Sequence, residues 1–210
     1  MPFFVNSESQ LDPPRNARAK LLDAAIQMIR AQGYAATSVD DLCRAAGVTK
    51  GAFFHHFASK EALGVAAARH WSAVTGALFA SAPYHDHADP LERVLAYIDF
   101  RAVLIEGAPA NFTCLAGTMV QEAYAASDEI RAACEASIFS HAATLEADIE
   151  TARAKYKIRG DWSAKSLALH TQAVLQGAFI LAKAKGGPDI ALEMAAHLKR
   201  YVQLLFSRGG

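Results

Sequence analysis

Apolar residues recur along most of this chain at steps of three and four positions, the spacing of one face of an α-helix. Alanine is abundant, and no stretch alternates β-branched and polar residues for long enough to predict a strand. The pattern therefore predicts an all-α protein.

Two short helices with clear end signals are predicted near the start of the chain. The first covers about residues 16–32, and Gly33 stands where a left-handed residue ends a helix. Thr37 is expected to cap the second helix, with Asp40 three positions later. Residues 1–14, which end in an Asp-Pro-Pro sequence, are expected to form a disordered arm.

The stretch from Thr37 to Phe57 combines a buried face with many exposed polar and aromatic side chains. The face that we expect to be buried consists of Val39, Leu42, Cys43, Ala46, Phe53 and Phe57. Gly47 permits a tight turn, and Thr49 caps the helix that follows it. Two short helices joined in this way predict a helix-turn-helix, whose second helix enters the major groove of DNA. Two packed helices with ordinary surface histidines are the alternative.

The rest of the chain reads as longer helices. Ser59 caps a helix that reaches about Phe79, residues 81–88 form a loop, and the helix that starts at Asp89-Pro90 ends near Gly107. Further helices are predicted at about residues 114–125, 128–156, 163–185 and 188–206. The break at residues 186–188 predicts that the last two form an antiparallel hairpin, whose second apolar face packs on another copy of the chain.

Composition narrows the class of protein. Of the 210 residues, 52% are apolar, which suffices for a large core. The 21 basic residues balance the 21 acidic ones, so an anionic partner would have to bind a local basic patch rather than the surface as a whole. Three cysteines without a CxxC pair indicate a reducing compartment. No signal peptide or membrane span is evident, so we expect a soluble cytoplasmic protein with no cofactor and no metal.

Residues 33–63, GYAATSVDDLCRAAGVTKGAFFHHFASKEAL, resemble the DNA-binding domain of TetR-family transcriptional repressors. The shared features are the glycine-aromatic pair, the Ala-Gly-Val turn, the Thr-Lys-Gly start of the second helix, its aromatic-His-Phe end, and the Ser-Lys-Glu that follows. The resemblance implies an N-terminal helix-turn-helix domain over residues 15–62. It also implies a helical effector-binding and dimerisation domain over residues 63–210.

Carried over to this chain, the resemblance implies a set of DNA-binding residues. They are Thr37, Ser38, Thr49, Lys50, Ala52, Phe54, His55, His56 and Lys60. Lys60 would contact a phosphate, while Thr37 and Ser38 would offer hydroxyls or a helix N-terminus to another. Phe54 stands where the family usually has tyrosine, and Ala52 where it often has serine or threonine. These two departures leave the operator sequence open.

In that family the larger domain dimerises and encloses a pocket whose ligand weakens DNA binding. The candidate effector-binding residues are Tyr97, Arg101, Leu104, Phe112, Cys114, Met119, Glu122, Tyr124 and Phe179. Arg101 shares an apolar helix face with Tyr97, and a buried charge there needs a partner, either Glu122 or an acidic ligand. Alternatively, Arg101 lies at the edge of the face and reaches water. The aromatic and methionine side chains are as readily explained as core.

Cys114 and a histidine-rich loop are the remaining chemical candidates. Cys114 begins a helix, where the dipole favours a thiolate, and its place resembles that of a cysteine in the branch containing electrophile-responsive repressors such as NemR. Arg101 is the candidate cation beside it, and a small buried side chain is the alternative. His85, Asp86, His87 and Asp89 are expected to be a solvated cluster rather than a metal site.

The predicted function is a ligand-responsive repressor that binds double-stranded operator DNA as a homodimer and is released by a small-molecule or electrophile effector. A helical enzyme is one alternative, with Cys114 and a histidine, or Glu122 and Arg101, as its catalytic groups. No nucleophile elbow, P-loop, HExxH or dinucleotide fingerprint supports it. A DNA-binding protein that responds to no ligand is the other alternative.

Overall fold

The structure is a computed structural model that describes residues 16–207, so the predicted arm at residues 1–14 lies outside the described residues. The described chain forms ten α-helices, one short 3-10 helix and no strand, which confirms the all-α prediction. The helices are α1 (Ala17–Gln32), α2 (Val39–Ala46), α3 (Lys50–His56), α4 (Lys60–Ala80), α5 (Pro90–Val103), α6 (Pro109–Phe112), α7 (Leu115–Ala123), α8 (Asp128–Lys155), α9 (Ala164–Lys185) and α10 (Asp189–Ser207).

Most helix ends lie where the sequence places them. Gly33, Gly47 and Gly186 have φ angles of 93°, 63° and 81° directly after α1, α2 and α9, a backbone conformation that favours glycine. Asp89 caps α5 by accepting hydrogen bonds from the N–H groups of Leu91 and Glu92. Three glycines and one acid thus fix these ends through local geometry.

The cap of α2 corrects the sequence-based prediction by one residue. Ser38 is the N-cap: its Oγ accepts a hydrogen bond from the Asp41 N–H at 3.1 Å, and the Asp41 carboxylate accepts from the Ser38 N–H in return. Thr37 is buried instead, and its hydroxyl donates to the Gly33 carbonyl at 2.7 Å. The threonine therefore serves the end of α1 and not the start of α2.

Two segments between α4 and α7 also differ from expectation. The 3-10 helix Pro83–Asp86 occupies the predicted loop. Helix α5 ends at Val103 rather than near Gly107, and Leu104 is its C-cap. The chain then turns at Gly107, where φ is 74°. Pro109 starts the short α6, whose first position tolerates the missing N–H of proline.

The described chain divides into two compact units. The helix-turn-helix unit comprises residues 16–75 and 113–137, and the larger unit comprises residues 76–112 and 138–207. In the helix-turn-helix unit α7 packs against α1, so this unit includes a segment that the sequence-based division at residue 62 assigns to the second domain. The core of the larger unit lies where α5 and α9 pack against α10.

Candidate functional site

Helix α3 presents one buried and one exposed side. Phe53 and Phe57 are buried and pack against each other with ring centroids 5.9 Å apart, which anchors the inner side. Phe54 is 55% exposed and lies beside the exposed His55. An exposed phenylalanine on a seven-residue helix costs solvation, so the outer side has the character of a binding surface.

Lys50 and Thr49 lie at the start of that outer side. The Lys50 ammonium pairs with the Asp40 carboxylate of α2 at 2.7 Å, and this hydrogen bond raises the pKa of Lys50. The Lys50 side chain is still 62% exposed. Thr49 caps α3, since its Oγ1 accepts from the Ala52 N–H at 3.1 Å. An exposed cation and the turn before it are thus arranged at one edge of α3.

Both hydroxyls that were predicted to bind phosphate, those of Thr37 and Ser38, already form hydrogen bonds within the protein. Ser38 Oγ donates to the Asp41 carboxylate at 2.5 Å while it caps α2, and it remains at the surface. The Thr37 hydroxyl is buried and committed to the Gly33 carbonyl. We therefore leave Thr37 out of the proposed interface and keep Ser38 in it.

Lys60 is turned towards the protein backbone. Its ammonium donates to the carbonyls of Tyr34 and Thr37, each at 2.9 Å, and lies 4.4 Å from the centroid of the Tyr34 ring. Partial burial lowers the pKa of Lys60, and the negative charge of Glu122 opposes this shift. These contacts assign Lys60 to holding the turn over residues 33–37, the segment that leads into α2.

Glu122, near the end of α7, holds the same turn. Its Oε2 accepts a hydrogen bond from the Ala35 N–H at 2.7 Å. A β-carbon at Gly33 would come within 2.3 Å of Glu122 Oε1, so an alanine there would displace this carboxylate in addition to straining the backbone at its positive φ angle. The sequence-based pairing of Glu122 with Arg101 is wrong, because each has different partners in the structure.

Arg101 belongs to a buried polar cluster in the larger unit. It is only 9% exposed, and its Nη1 donates to the hydroxyl of Tyr97 and to Nε2 of His141, both at 3.2 Å. The Tyr97 hydroxyl lies 2.8 Å from His141 Nε2 and accepts from Gln172 Nε2 at 3.1 Å. Arg101 is therefore largely buried and held through Nη1, rather than extending into water from the edge of the face.

The cluster carries its charge on the arginine alone. Burial, and then the charge of Arg101, lower the pKa of His141 from 6.5 to about 3, so the imidazole is neutral at neutral pH. Its Nε2 then accepts hydrogen bonds, which places the proton on Nδ1. The Phe79 and Phe179 rings lie 5.4 and 5.7 Å from the guanidinium carbon, within the range of cation–π attraction.

Sequence reasoning missed His141 and Gln172. Each lies on a helix that contributes to the core, and each occupies a position where the apolar pattern of its helix is interrupted by a polar residue. That interruption was the available signal. It did not name Arg101 and Tyr97 as partners, because α8 and α9 are distant from α5 in the sequence.

The other candidate effector residues are divided between the two units. Leu104 and Phe112 lie in the larger unit, where the Phe112 ring packs 6.0 Å from that of Phe179. Met119 and Tyr124 lie in the helix-turn-helix unit. Met119 is fully buried core, whereas Tyr124 is 62% exposed. Of the nine residues, the structure thus brings Tyr97 and Phe179 against Arg101, and Phe112 against Phe179.

Cys114 is the N-cap of α7, and Arg30 is the cation beside it. The Cys114 sulfur accepts from the Gly117 N–H at 3.4 Å. Arg30 is 3% exposed and donates through Nε to the Thr113 carbonyl at 2.7 Å. Burial lowers the pKa of Arg30 to about 10, and the charge of Cys114 opposes this shift. The prediction that Arg101 is the neighbouring cation is wrong, because it belongs to the cluster with His141.

Candidate metal sites and membrane-spanning helices are absent from the described residues. Residues 16–207 contain no group of three or more His, Cys, Asp or Glu side chains placed to hold a metal ion. In the histidine-rich loop, His85 Nε2 lies 3.0 Å from the Phe79 carbonyl and Asp89 caps α5. None of the described helices is long and apolar enough to span a bilayer.

Comparisons with known proteins match both parts of the chain. Residues 21–67 match the family described as bacterial regulatory proteins, tetR family, and residues 90–198 match the tetracyclin repressor-like C-terminal domain. The transcriptional regulator AcuR of Cereibacter sphaeroides is 25% identical over 173 residues, which cover 82% of this chain and 79% of AcuR.

Solved structures share the fold. The reduced form of Escherichia coli NemR aligns with a TM-score of 0.76 and 24% identity, over 89% of this chain and 96% of NemR. A cysteine mutant of the TetR-family regulator CifR, in complex with 26-base-pair operator DNA, aligns with a TM-score of 0.71 and 19% identity, over 90% and 98% of the two chains.

Proposed function

The chain belongs to the TetR family of bacterial transcriptional regulators, and we propose that it is a repressor that binds operator DNA as a homodimer and is released by a small-molecule effector. Family members are regulators rather than enzymes, which sets aside the alternative of a helical enzyme. The alternative of a regulator without an effector is addressed by the experiments below.

The observation that carries the DNA-binding proposal is the exposed side of α3. Its proposed DNA-facing residues are Thr49, Lys50, Ala52, Phe54, His55 and His56, together with Ser38 at the start of α2. Lys50 would supply a cation for phosphate, and the exposed Phe54 and His55 side chains would reach base edges in a major groove. The buried Phe53 and Phe57 hold this surface rigidly against the core.

The homodimer proposal rests on the apolar surface of α9 and α10. The large apolar side chains exposed there are Ile180, Leu181, Leu192, Tyr201 and Leu204. Leu204 is 56% exposed, and no heavy atom lies within 4 Å of a β-carbon added at Gly177. A second copy would cover these side chains and use the open position at Gly177 for close helix approach. Its recognition helices would then lie about one DNA turn, roughly 34–36 Å, or somewhat more apart.

The proposed effector site is the Arg101 cluster in the larger unit. Tyr97 and His141 fix the guanidinium through hydrogen bonds, and aromatic rings flank it. An effector that contacts Arg101 would alter the packing of α5. The chain continues from α5 through α6 to α7, and Glu122 of α7 holds the turn before α2. This order of elements offers a route from effector to DNA-binding helices.

The test combines a gel shift with a measurement of mass in solution. The full-length protein should shift the intergenic DNA that flanks its gene and should behave as a dimer in light scattering. Phe54→Ala should abolish the shift while leaving the dimer intact, and Leu204→Glu should produce monomers that bind DNA weakly. A monomeric wild-type protein that binds a single half-site tightly would contradict the proposal.

A further inference from the structure

The guanidinium of Arg101 is held on one side only. Both hydrogen bonds that it donates leave from Nη1, so Nε and Nη2 have no hydrogen-bond partner among residues 16–207. Within the same range, the fully buried side-chain polar atoms without a partner are Thr113 Oγ1 and Arg153 Nε. Nε and Nη2 of Arg101 are therefore still reachable by solvent, although the residue as a whole is only 9% exposed.

The charge of Arg101 has no counter-ion among the described side chains. Its hydrogen-bond partners are the hydroxyl of Tyr97 and the imidazole of His141, which is neutral because its pKa is lowered to about 3. Asp148 lies on the same helix as His141, but it pairs with Arg93 at 2.7 Å. A buried cation surrounded by neutral groups is costly unless an anion joins it.

The free edge has a specific geometry. Nε and Nη2 of a guanidinium point two N–H groups in parallel, the arrangement that binds both oxygens of a carboxylate. Tyr97 and His141 fix the opposite nitrogen, and Phe79 and Phe179 lie within cation–π distance of the guanidinium. The edge is therefore oriented in advance, which lowers the entropic cost of binding.

We propose that the effector of this regulator is a small carboxylate with an apolar body, whose carboxylate binds the Nε–Nη2 edge of Arg101 and whose apolar body lies against the aromatic rings of Phe79 and Phe179. The inference rests on the proposed function, because it names the chemical class of ligand for the same site. The limited exposure of Arg101 favours a small molecule, and the surrounding rings favour an apolar one.

The test compares acids with their amides, which have nearly the same shape but no charge. Isothermal titration calorimetry on the full-length, DNA-free protein would use benzoate against benzamide and hexanoate against hexanamide. We expect each acid to bind about tenfold or more tightly than its amide, since a hydrogen bond to a charged group is the stronger one. Equal affinity for acid and amide, or no binding of either acid, would overturn the inference.

Variants locate the binding on Arg101. Arg101→Met should abolish acid binding, and Arg101→Lys should weaken it about tenfold, because an ammonium keeps the charge but lacks the paired N–H groups. Arg159→Met, which removes an exposed arginine of the same unit, should bind as the wild type does. If Arg101→Met failed to fold, the affinity of Arg101→Lys for the acids and the acid–amide comparison would still test whether Arg101 binds the carboxylate. Wild-type affinity in either folded Arg101 variant would contradict the proposal.

A gel shift with and without each acid separates this inference from the function it rests on. Release of DNA by the acids but not the amides supports both. Acid binding through Arg101 without release of DNA supports the site and overturns its role as an effector site. DNA binding that is intact, with no acid bound in calorimetry, overturns the inference and leaves the proposed repressor standing.

Discussion

The carboxylate of Glu122 accepts a hydrogen bond from the backbone N–H of Ala35 at 2.7 Å, which ties the end of α7 to the turn between α1 and α2. The ammonium of Lys60, from the start of α4, donates to carbonyls of the same turn. Two opposite charges from two helices therefore fix the segment from which α2 begins. A movement of either helix is expected to reach the DNA-binding helices through this turn.

Glu122→Ala should loosen the turn. We expect the free energy of unfolding to fall by about 1 kcal/mol, because one charge-assisted hydrogen bond at the surface is lost, and operator affinity to fall with it. Chemical denaturation and a gel shift measure the two effects. Glu135→Ala, which removes an exposed acid from α8 in the same unit, is the matched control. Identical behaviour of the two variants would show that Glu122 does not hold the turn.

Gly33→Ala should be more harmful than Glu122→Ala. Its φ of 93° disfavours alanine by about 1–3 kcal/mol, and the new β-carbon would also clash with Glu122. In the double variant Gly33→Ala/Glu122→Ala the clash is absent, while the backbone strain at residue 33 remains. The losses of unfolding free energy in the two single variants should therefore not add up to the loss in the double variant. Denaturation of the single and double variants measures this coupling. Strict additivity would mean that Gly33 and Glu122 do not meet.

Lys60→Met and His55→Ala should affect DNA binding in different ways. Because Lys60 binds backbone carbonyls, its replacement should lower the midpoint of thermal unfolding and weaken all operators alike, with no change in salt dependence. A phosphate contact, as the sequence alone suggests, would instead reduce the salt slope by about one ion. His55→Ala should alter the preference among operator variants. Affinity measured over a series of salt concentrations decides between the two roles of Lys60, with Arg131→Met as the control.

The stability of the larger unit should depend on pH through His141. Its pKa is lowered to about 3 in the folded protein, whereas 6.5 is the ordinary value. Above pH 6.5 the imidazole is neutral in both states, and as the pH falls below 6.5 the unfolded chain binds a proton that the folded chain does not. The free energy of unfolding should therefore decrease, by about 2 kcal/mol at most at pH 5.

Denaturant unfolding at pH 7 and pH 5, at one fixed protein concentration, tests this dependence. His141→Gln should remove most of the difference between the two pH values. His197→Gln, which replaces an exposed histidine of α10, should keep it. An unchanged pH dependence in His141→Gln would mean that this histidine is not the group responsible.

Cys114 is the cysteine expected to respond to electrophiles. It is partly accessible, whereas Cys43 and Cys134 are buried, and burial raises the pKa of both of these thiols, that of Cys134 to about 12. Cys114→Ser should keep operator binding but lose release by quinones, aldehydes or hypochlorite. A gel shift with each electrophile, paired with mass spectrometry of the modified thiol, measures both. If wild type and Cys114→Ser respond alike, the cysteine only packs and caps α7.

The sequence by itself determined the features that depend on a few neighbouring residues. The helical class, the glycines that end α1, α2 and α9, and the caps Thr49, Ser59 and Asp89 were all predicted and are found. Each is local, because a cap joins residues three positions apart and a positive φ belongs to one residue. The one-residue error at Thr37 arose where a neighbouring hydroxyl served a different backbone group.

Only the tertiary structure decided the partners of the charged side chains. Arg101 joins His141 rather than Glu122, Lys60 turns to backbone carbonyls, and Arg30 is the cation beside Cys114. The apolar pattern of a helix shows which face is buried, but not which distant helix packs against that face. A charge on a buried face takes whichever polar group the packing brings within about 3 Å, so its partner is fixed only when the helices have assembled.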